Sequence, residues 1–246
     1  MATSRSDEET SPAGAGPTQT VPSRHALREQ DALWGDFLAL ASSVVGGLEK
    51  SVQAICEGRF DLIDEVKNEE EFSDRREVMI EHECLRILAL YEPLASDLRR
   101  MATILKVNRD WERIADLALR VARRARKLAR ISPRVAMPDP IKQMAGDVLA
   151  QVRSCSQALE IQDVVAARAV IAGDSAIDGQ YRAIRRELKA RMGEHSEQID
   201  ALLLLLSAAR NLERIADHAV GIAQTIVYLK EGVIIRHTPQ TPPPSF

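Results

Sequence analysis

Little in this chain points toward sheets, disulfides or a membrane span. Aromatics make up 4% of its 246 residues and glycine occurs only 12 times, a poor supply for strands and tight turns. Three cysteines, Cys56, Cys84 and Cys155, form an odd, widely spaced set with no CxxC pair; they read as buried thiols of a reducing compartment, and the chain as cytoplasmic. The leucine run Leu202 to Leu206 is far shorter than a bilayer requires and reads as bundle core. Residues 1–25 mix Ser, Thr, Pro, Gly and acids without an apolar centre, so they are expected to be a disordered extension and not a signal peptide. A formal net charge of −3 supplies no global reason to expect nucleic acid. The usual enzymatic signatures are also missing. There is no glycine-rich phosphate loop and no HExxH, and none of the five histidines follows a Glu by three positions, as in carboxylate-bridged di-iron oxidases.

What is present is helix. Hydrophobic residues form 45% of the chain and charged ones 28%, enough for a substantial core. From about Ala26 to Glu57, Leu33, Phe37, Leu40, Val44, Leu48, Val52 and Ile55 recur at spacings of three and four. Gly58 ends this helix. A second, capped by Asp61 and carrying Leu62, Val66, Val78, Leu85 and Leu88, runs to Pro93; a third, capped by Asp97, continues to about Arg130. Pro133, Pro138 and Pro140 then interrupt helical structure. Beyond them a fourth stripe runs from Ile141 to Leu159, a fifth helix from Asp163 to Met192 and a sixth from Ile199 to Lys230. The expected organisation is all-α: two tandem three-helix bundles, 26–131 and 141–231, joined by a proline-rich linker, 132–140, and followed by a loose tail, 232–246.

The halves repeat one another. NRDWERIADLALRVA, from Asn108, matches ARNLERIADHAVGIA, from Ala209, with ERIAD identical in both copies. Upstream, Glu70 and Asp74 correspond to Asp174 and Asp178. Within each ExxxD, two carboxylates lie a turn apart on one helical face: Glu112 with Asp116, and Glu213 with Asp217. A single such pair is most often a solvated face. Its duplication, with a second acidic pair on the preceding helix of each half, suggests two sites where four carboxylates converge on a cation. Hard oxygen donors favour Mg²⁺, Mn²⁺, Ca²⁺ or iron, with Zn²⁺ as a further candidate. The candidate ligands are Glu70, Asp74, Glu112 and Asp116 in the first half, and Asp174, Asp178, Glu213 and Asp217 in the second. Glu77 and Glu81 extend the first acidic stripe, whereas Tyr181 and Arg185 stand in their places in the second. Tighter metal binding is therefore expected in the first half, with Arg185 an internal counter-charge in the other.

Two further features have structural readings beside functional ones. Arg120, Arg123, Arg124, Arg126, Lys127, Arg130 and Arg134 gather near the end of the third helix. There they complement the helix dipole, or form a docking patch for an acidic partner or the inner membrane surface. His218 follows a candidate ligand directly and points elsewhere on an ideal helix, and Trp111 reads as core or interface.

The stretches LERIADHAVGIA, from Leu212, SDLRRMATILKVNRDWERIAD, from Ser96, and CLRILALYEPLASDLR, from Cys84, resemble PhoU-type regulators of phosphate signalling. The resemblance covers roughly residues 30–230. It implies tandem three-helix bundles, metal at the ExxxD sites and negative control of phosphate uptake and phosphate-starvation signalling without catalysis. The implied partners are the phosphate ABC transporter, through its ATPase subunit, and a phosphate-sensing histidine kinase. Any association with the inner membrane would then pass through those partners, and a homodimer is among the assemblies it allows. An accessory role to a low-affinity phosphate transporter, or a carboxylate-metal enzyme, are the alternatives. Leu117 replaces the counterpart of His218, and Arg120 and Gly221 occupy positions where the family often has Asn.

Overall fold

A computed structural model describes residues 24–132 and 135–235. Among these, six long helices and two short 3-10 turns account for the regular structure, and no strand occurs. The helices are α1 (Arg24–Glu57), α2 (Ile63–Tyr91), α3 (Ala95–Leu128), α4 (Asp139–Ile161), α5 (Val164–Glu194) and α6 (Ile199–Glu231). Helix α1 already includes Arg24 and His25, so the helix begins two residues inside the expected extension. The rest of that extension, Pro133, Arg134 and most of the tail lie outside the described residues.

Local chemistry explains several of the helix ends. Gly58 (φ 73°) and Gly232 (φ 74°) adopt the left-handed conformation that terminates α1 and α6. Asp163 caps α5, its Oδ1 accepting from the Val165 and Ala166 amides at 2.8 and 3.1 Å. Pro140 falls in the first turn of α4, where a missing N–H costs nothing. Two expected caps are different. Leu62 precedes α2, and Asp61 sits in the preceding 3-10 turn, where it pairs with Arg59 at 2.7 Å. Leu94 precedes α3, leaving Asp97 inside its first turn, where its charge still complements the dipole.

Helices α2, α3, α6 and α5 form one layer in that order, and α1 and α4 cover one side of it. The central seam is α3 against α6, which joins the two halves antiparallel: Arg99 reaches the Leu229 carbonyl at one end, and Arg124 donates to Ser207 Oγ (3.0 Å) at the other. Phe37, Leu48, Ile104, Trp111, Ile114, Leu212, Ile222 and Ile226 are fully buried in a core continuous through both halves. The expected α2 stripe needs correction. Val78 and Leu85 are exposed, and the buried residues are Ile63, Val66, Ser73, Ile80, Cys84 and Ile87. A long, strongly charged helix offers more than one apolar register, and packing selects the one that faces α1 and α3. Cys84 and Cys155 are buried and Cys56 half-buried; burial pushes the Cys56 thiol up to about 11 and the Cys84 thiol to about 12.

The duplication extends to one pair of interior hydrogen bonds, and two others fix helix register without being equivalent. Ser51 Oγ donates to the Ala118 carbonyl at 2.6 Å, tying α1 to α3. At the corresponding positions Cys155 Sγ donates to the Ala219 carbonyl at 3.3 Å, tying α4 to α6. Asn108 Nδ2 donates to the Glu77 carbonyl at 2.7 Å and sets the register of α2 against α3. Gln151 Nε2 donates to the Val170 carbonyl at 3.1 Å and does the same for α4 against α5. Both bonds lie within a turn or so of the acidic residues of the helix they fix.

Candidate metal centre

The acidic residues lie on the face of the four-helix layer that α1 and α4 leave open. In the first half, Glu70, Asp74 and Glu77 on α2 face Glu112 and Asp116 on α3. Burial and mutual repulsion bring their electrostatics together. Burial, then Asp74 and Asp116, raise the Glu70 carboxyl above its ordinary value, partly offset by Arg123. Glu112 is raised by burial and by Asp74, Asp116 and Glu77, against Arg113. Glu77 is raised by burial and by Glu81 and Asp74. Beside them is a cleft of about 500 Å³ lined by Asp74, Glu77, Glu81, Arg109, Glu112 and Arg113, among others.

The second half builds the same arrangement from α5 and α6. Burial, then Asp178 and Asp217, raise the Asp174 carboxyl. Glu213 is raised by burial, Asp217 and Asp178; Asp217, exposed at the surface, is raised by partial desolvation against its neighbours and by Asp178. The four candidates of each half are therefore within electrostatic reach of one another, across two helices.

They do not yet form a coordination shell. Among the described residues, no three acidic, imidazole or thiol groups converge tightly enough to ligate one ion. Arginines hold several carboxylates instead: Arg120 binds Asp116 at 2.9 Å, Arg210 binds Glu213 at 2.9 Å, and Arg182 approaches Asp178 at 3.8 Å. Counter-charge in the second half thus comes from Arg210 and Arg182, not from the expected Arg185. Tyr181, standing where the first half has Glu77, lies under the Arg210 guanidinium at 5.5 Å.

One atom fits an additional ligand. Glu213 Oε2 is buried without a hydrogen-bond partner, although its side chain is 13% exposed and its other oxygen meets Arg210. A buried carboxylate oxygen with nothing to accept from is costly, and a hard cation, which prefers oxygen donors, would satisfy it. The residues that would hold a cation are Glu70, Asp74, Glu112 and Asp116 in the first half and Asp174, Asp178, Glu213 and Asp217 in the second.

Other placements bear on the seam. His218 Nδ1 lies 2.9 Å from Asp110 Oδ1, so the histidine joins α6 to α3 and is turned away from the acidic set. The repeat places Leu117 and Asn211 at the corresponding positions. Both are buried, and Asn211 Nδ2 has no partner. Trp111 is fully buried. Sequence reasoning missed Asp110, Arg109 and Arg210; the matched register of the repeats placed Arg109 and Arg210 three residues before each ExxxD, where they could have been found.

A model of the PhoU domain matches the chain twice, over residues 37–125 and 141–226. The chain belongs to the PhoU family. It is 35% identical to the phosphate-specific transport system accessory protein PhoU homolog of Pseudomonas putida over 211 residues, covering 85% of this chain and 82% of that one. The Aquifex aeolicus PhoU homolog is also 35% identical, over 86% of this chain and 95% of its own length. The crystal structure of PhoU from Pseudomonas aeruginosa superposes with a TM-score of 0.80 at 33% identity, covering 84% of this chain and 99% of that one. The Streptococcus pneumoniae PhoU structure shares the fold, with a TM-score of 0.77 at 24% identity. The two PhoU domains fall on α1 to α3 and on α4 to α6, the halves that carry the two acidic sets.

Proposed function

We propose that this protein is a non-catalytic accessory of a phosphate-specific transport system, restraining phosphate uptake and phosphate-starvation signalling from the cytoplasm. The observation that supports this reading most strongly is its similarity over more than four-fifths of its length to proteins named as phosphate-specific transport system accessory proteins. No helix among the described residues is long and apolar enough to cross a membrane; in this reading the protein acts on the transporter by contact. Its partners in this reading are the transporter's ATPase subunit and the phosphate-sensing histidine kinase.

The two acidic sets give that adaptor a metal requirement. A cation in each would neutralise carboxylates that otherwise repel across α2/α3 and α5/α6, and would hold those helix pairs in one arrangement. Glu112 and Asp116 act with Glu70 and Asp74, and Glu213 and Asp217 with Asp174 and Asp178. The side chains of this chain then supply charge and register, with no bond made or broken in a substrate.

Deleting the gene tests the regulatory role. Expression of a phosphate-regulated reporter in phosphate-rich medium should rise and return to baseline on complementation. Unchanged expression in a strain with intact transporter and kinase would refute the role. Altered uptake through a low-affinity transporter alone would favour that accessory role instead.

A further inference from the structure

The exposed ends of α3 and α5 carry charge that the acidic sets do not use. From Leu117 to Arg130, α3 and the two residues after it contain Arg120, Arg123, Arg124, Arg126, Lys127 and Arg130 and no acid. From Arg182 to Arg191, α5 contains Arg182, Arg185, Arg186, Lys189 and Arg191 against the single acid Glu187. Intramolecular pairing accounts for part of this charge. Arg120 is held by Asp116, Arg126 by Asp64 (2.8 Å), Arg124 by Ser207 and Arg191 by Gln198 (3.5 Å), while Arg182 leans toward Asp178. Among the described residues, Arg123, Lys127, Arg130, Arg185, Arg186 and Lys189 are exposed and have no acidic group within salt-bridge distance.

These cations share one end of the molecule. The Arg124–Ser207 and Arg191–Gln198 contacts bring the last turns of α3 and α5 to the beginning of α6, which packs between them. They also share a face. Arg120 and Arg123 bear on Asp116 and Glu70, and Arg182 on Asp178, so each array continues the open face beyond an acidic set. Arg185 and Lys189 follow Asp178 at spacings of seven and four along that stripe. Between the arrays α6 exposes Leu203 (50%) and Ile199 (37%). With adjacent helices 8–10 Å apart, the two basic ridges stand roughly 18 Å from each other.

We infer that this end of the open face binds an anionic phospholipid surface directly. Unpaired cations spread over two ridges, with protruding aliphatic side chains between them, match a broad, flat, negatively charged surface whose boundary accepts apolar groups. A nucleic acid backbone would use the charge but gain nothing from Leu203 and Ile199. An acidic protein segment would occupy only the strip between the ridges. The lipid contact needs no transporter or kinase, and it orients the neighbouring acidic sets toward the plane of the membrane.

Co-sedimentation of the full chain with vesicles tests this. Vesicles of phosphatidylcholine containing 30% phosphatidylglycerol should bind the protein at low salt, and pure phosphatidylcholine should not. Each basic side chain near an anionic surface is worth about a five- to tenfold change in partitioning. R123Q/K127Q/R130Q should therefore weaken binding on the order of a hundredfold, and R185Q/K189Q tenfold or more. L203S should weaken it several-fold without altering the salt dependence. R24Q/R28Q, at the far end of α1, should bind like wild type. Unchanged helical circular dichroism verifies that the variants fold. Failure to bind anionic vesicles at low salt, or equal binding by the wild type and both basic-ridge variants, overturns the inference. So does binding of an acidic peptide or duplex DNA, lost in the same variants, without vesicle binding.

Discussion

Replacing Glu213 by Gln should change the sign of its effect when metal is added. In the metal-free protein Glu213 repels Asp217 one turn away and Asp178 across the helix pair. Like charges at that helical spacing cost about 0.2–0.5 kcal/mol. The substitution removes this repulsion and gives up one ion pair to the exposed Arg210, itself worth about 0–1 kcal/mol. The new amide can also donate to a neighbouring carboxylate from the position of the orphaned oxygen. These contributions nearly cancel, so the metal-free variant should melt within about 2 °C of wild type or slightly above it. With free cation at a hundred times its dissociation constant, an intact site adds about 2.7 kcal/mol, or roughly 5–11 °C at this chain length. Glu213→Gln should forfeit most of that increment for the second site. Thermal unfolding by circular dichroism, with chelator and then with titrated Mg²⁺, Mn²⁺ and Fe²⁺, measures both arms. A variant less stable than wild type by 2 kcal/mol without metal, or one gaining the full increment with it, would refute the reasoning.

The pH dependence of that same comparison carries a definite sign. The carboxyls of Glu70, Glu77, Glu112, Asp174, Glu213 and Asp217 are raised in the folded protein. The folded state therefore binds protons more readily, and the clusters destabilise it most at neutral pH. As pH falls from neutral toward the ordinary carboxylate range, any advantage of metal-free Glu213→Gln over wild type should shrink, which denaturant melts at pH 7 and pH 5 would register. Trp111→Ala should cost about 3–5 kcal/mol, because it empties a fully buried site in the core; a urea titration detects the loss. A double-mutant cycle on Asp110 and His218 should give a coupling of about 0.5–1 kcal/mol, as expected for a partly exposed pair 2.9 Å apart. Zero coupling would mean that the contact does not fasten the halves.

Much of the architecture was legible because two independent signals agreed. Apolar spacing marked the long helices, and ERIAD, occurring twice, marked the repeat; together they gave six helices in two equivalent halves. The register of α2 was not legible. Its exposed Val78 and Leu85 compete with Ile80, Cys84 and Ile87 for the buried face, and only the packing partners decide between them. Helix caps misled for a related reason. Asp61 and Asp97 are good capping residues, yet a 3-10 turn and an extended Leu94 provide the transitions.

At the site, sequence spacing showed which carboxylates share a helical face, and the structure places both acidic pairs of each half within electrostatic range. The arginine partners were harder to read. Arg210 lies three residues before Glu213, and Arg109 stands at the same offset before Glu112, so the repeat marks the position, but which carboxylate the arginine meets emerges from the side-chain geometry. The seam pair Asp110–His218 was hidden because the duplication breaks there: Asn211 and Leu117 occupy the equivalent positions. A repeat advertises what it preserves, and the asymmetric contact between its halves leaves no such mark.

Elemental analysis of the purified protein is the most direct test of the metal-bearing adaptor. Wild type, E112A/D116A and E213A/D217A would be stripped of metal, reloaded with one cation at a time and desalted. Wild type should retain cation in both halves, each double variant should lose the share of its own half, and the E213A/D217A protein, keeping the more acidic first set, should hold its remaining cation more tightly. Equal metal in all three proteins, or none in any after reloading with Mg²⁺, Mn²⁺, Fe²⁺, Fe³⁺ or Zn²⁺, would contradict the account.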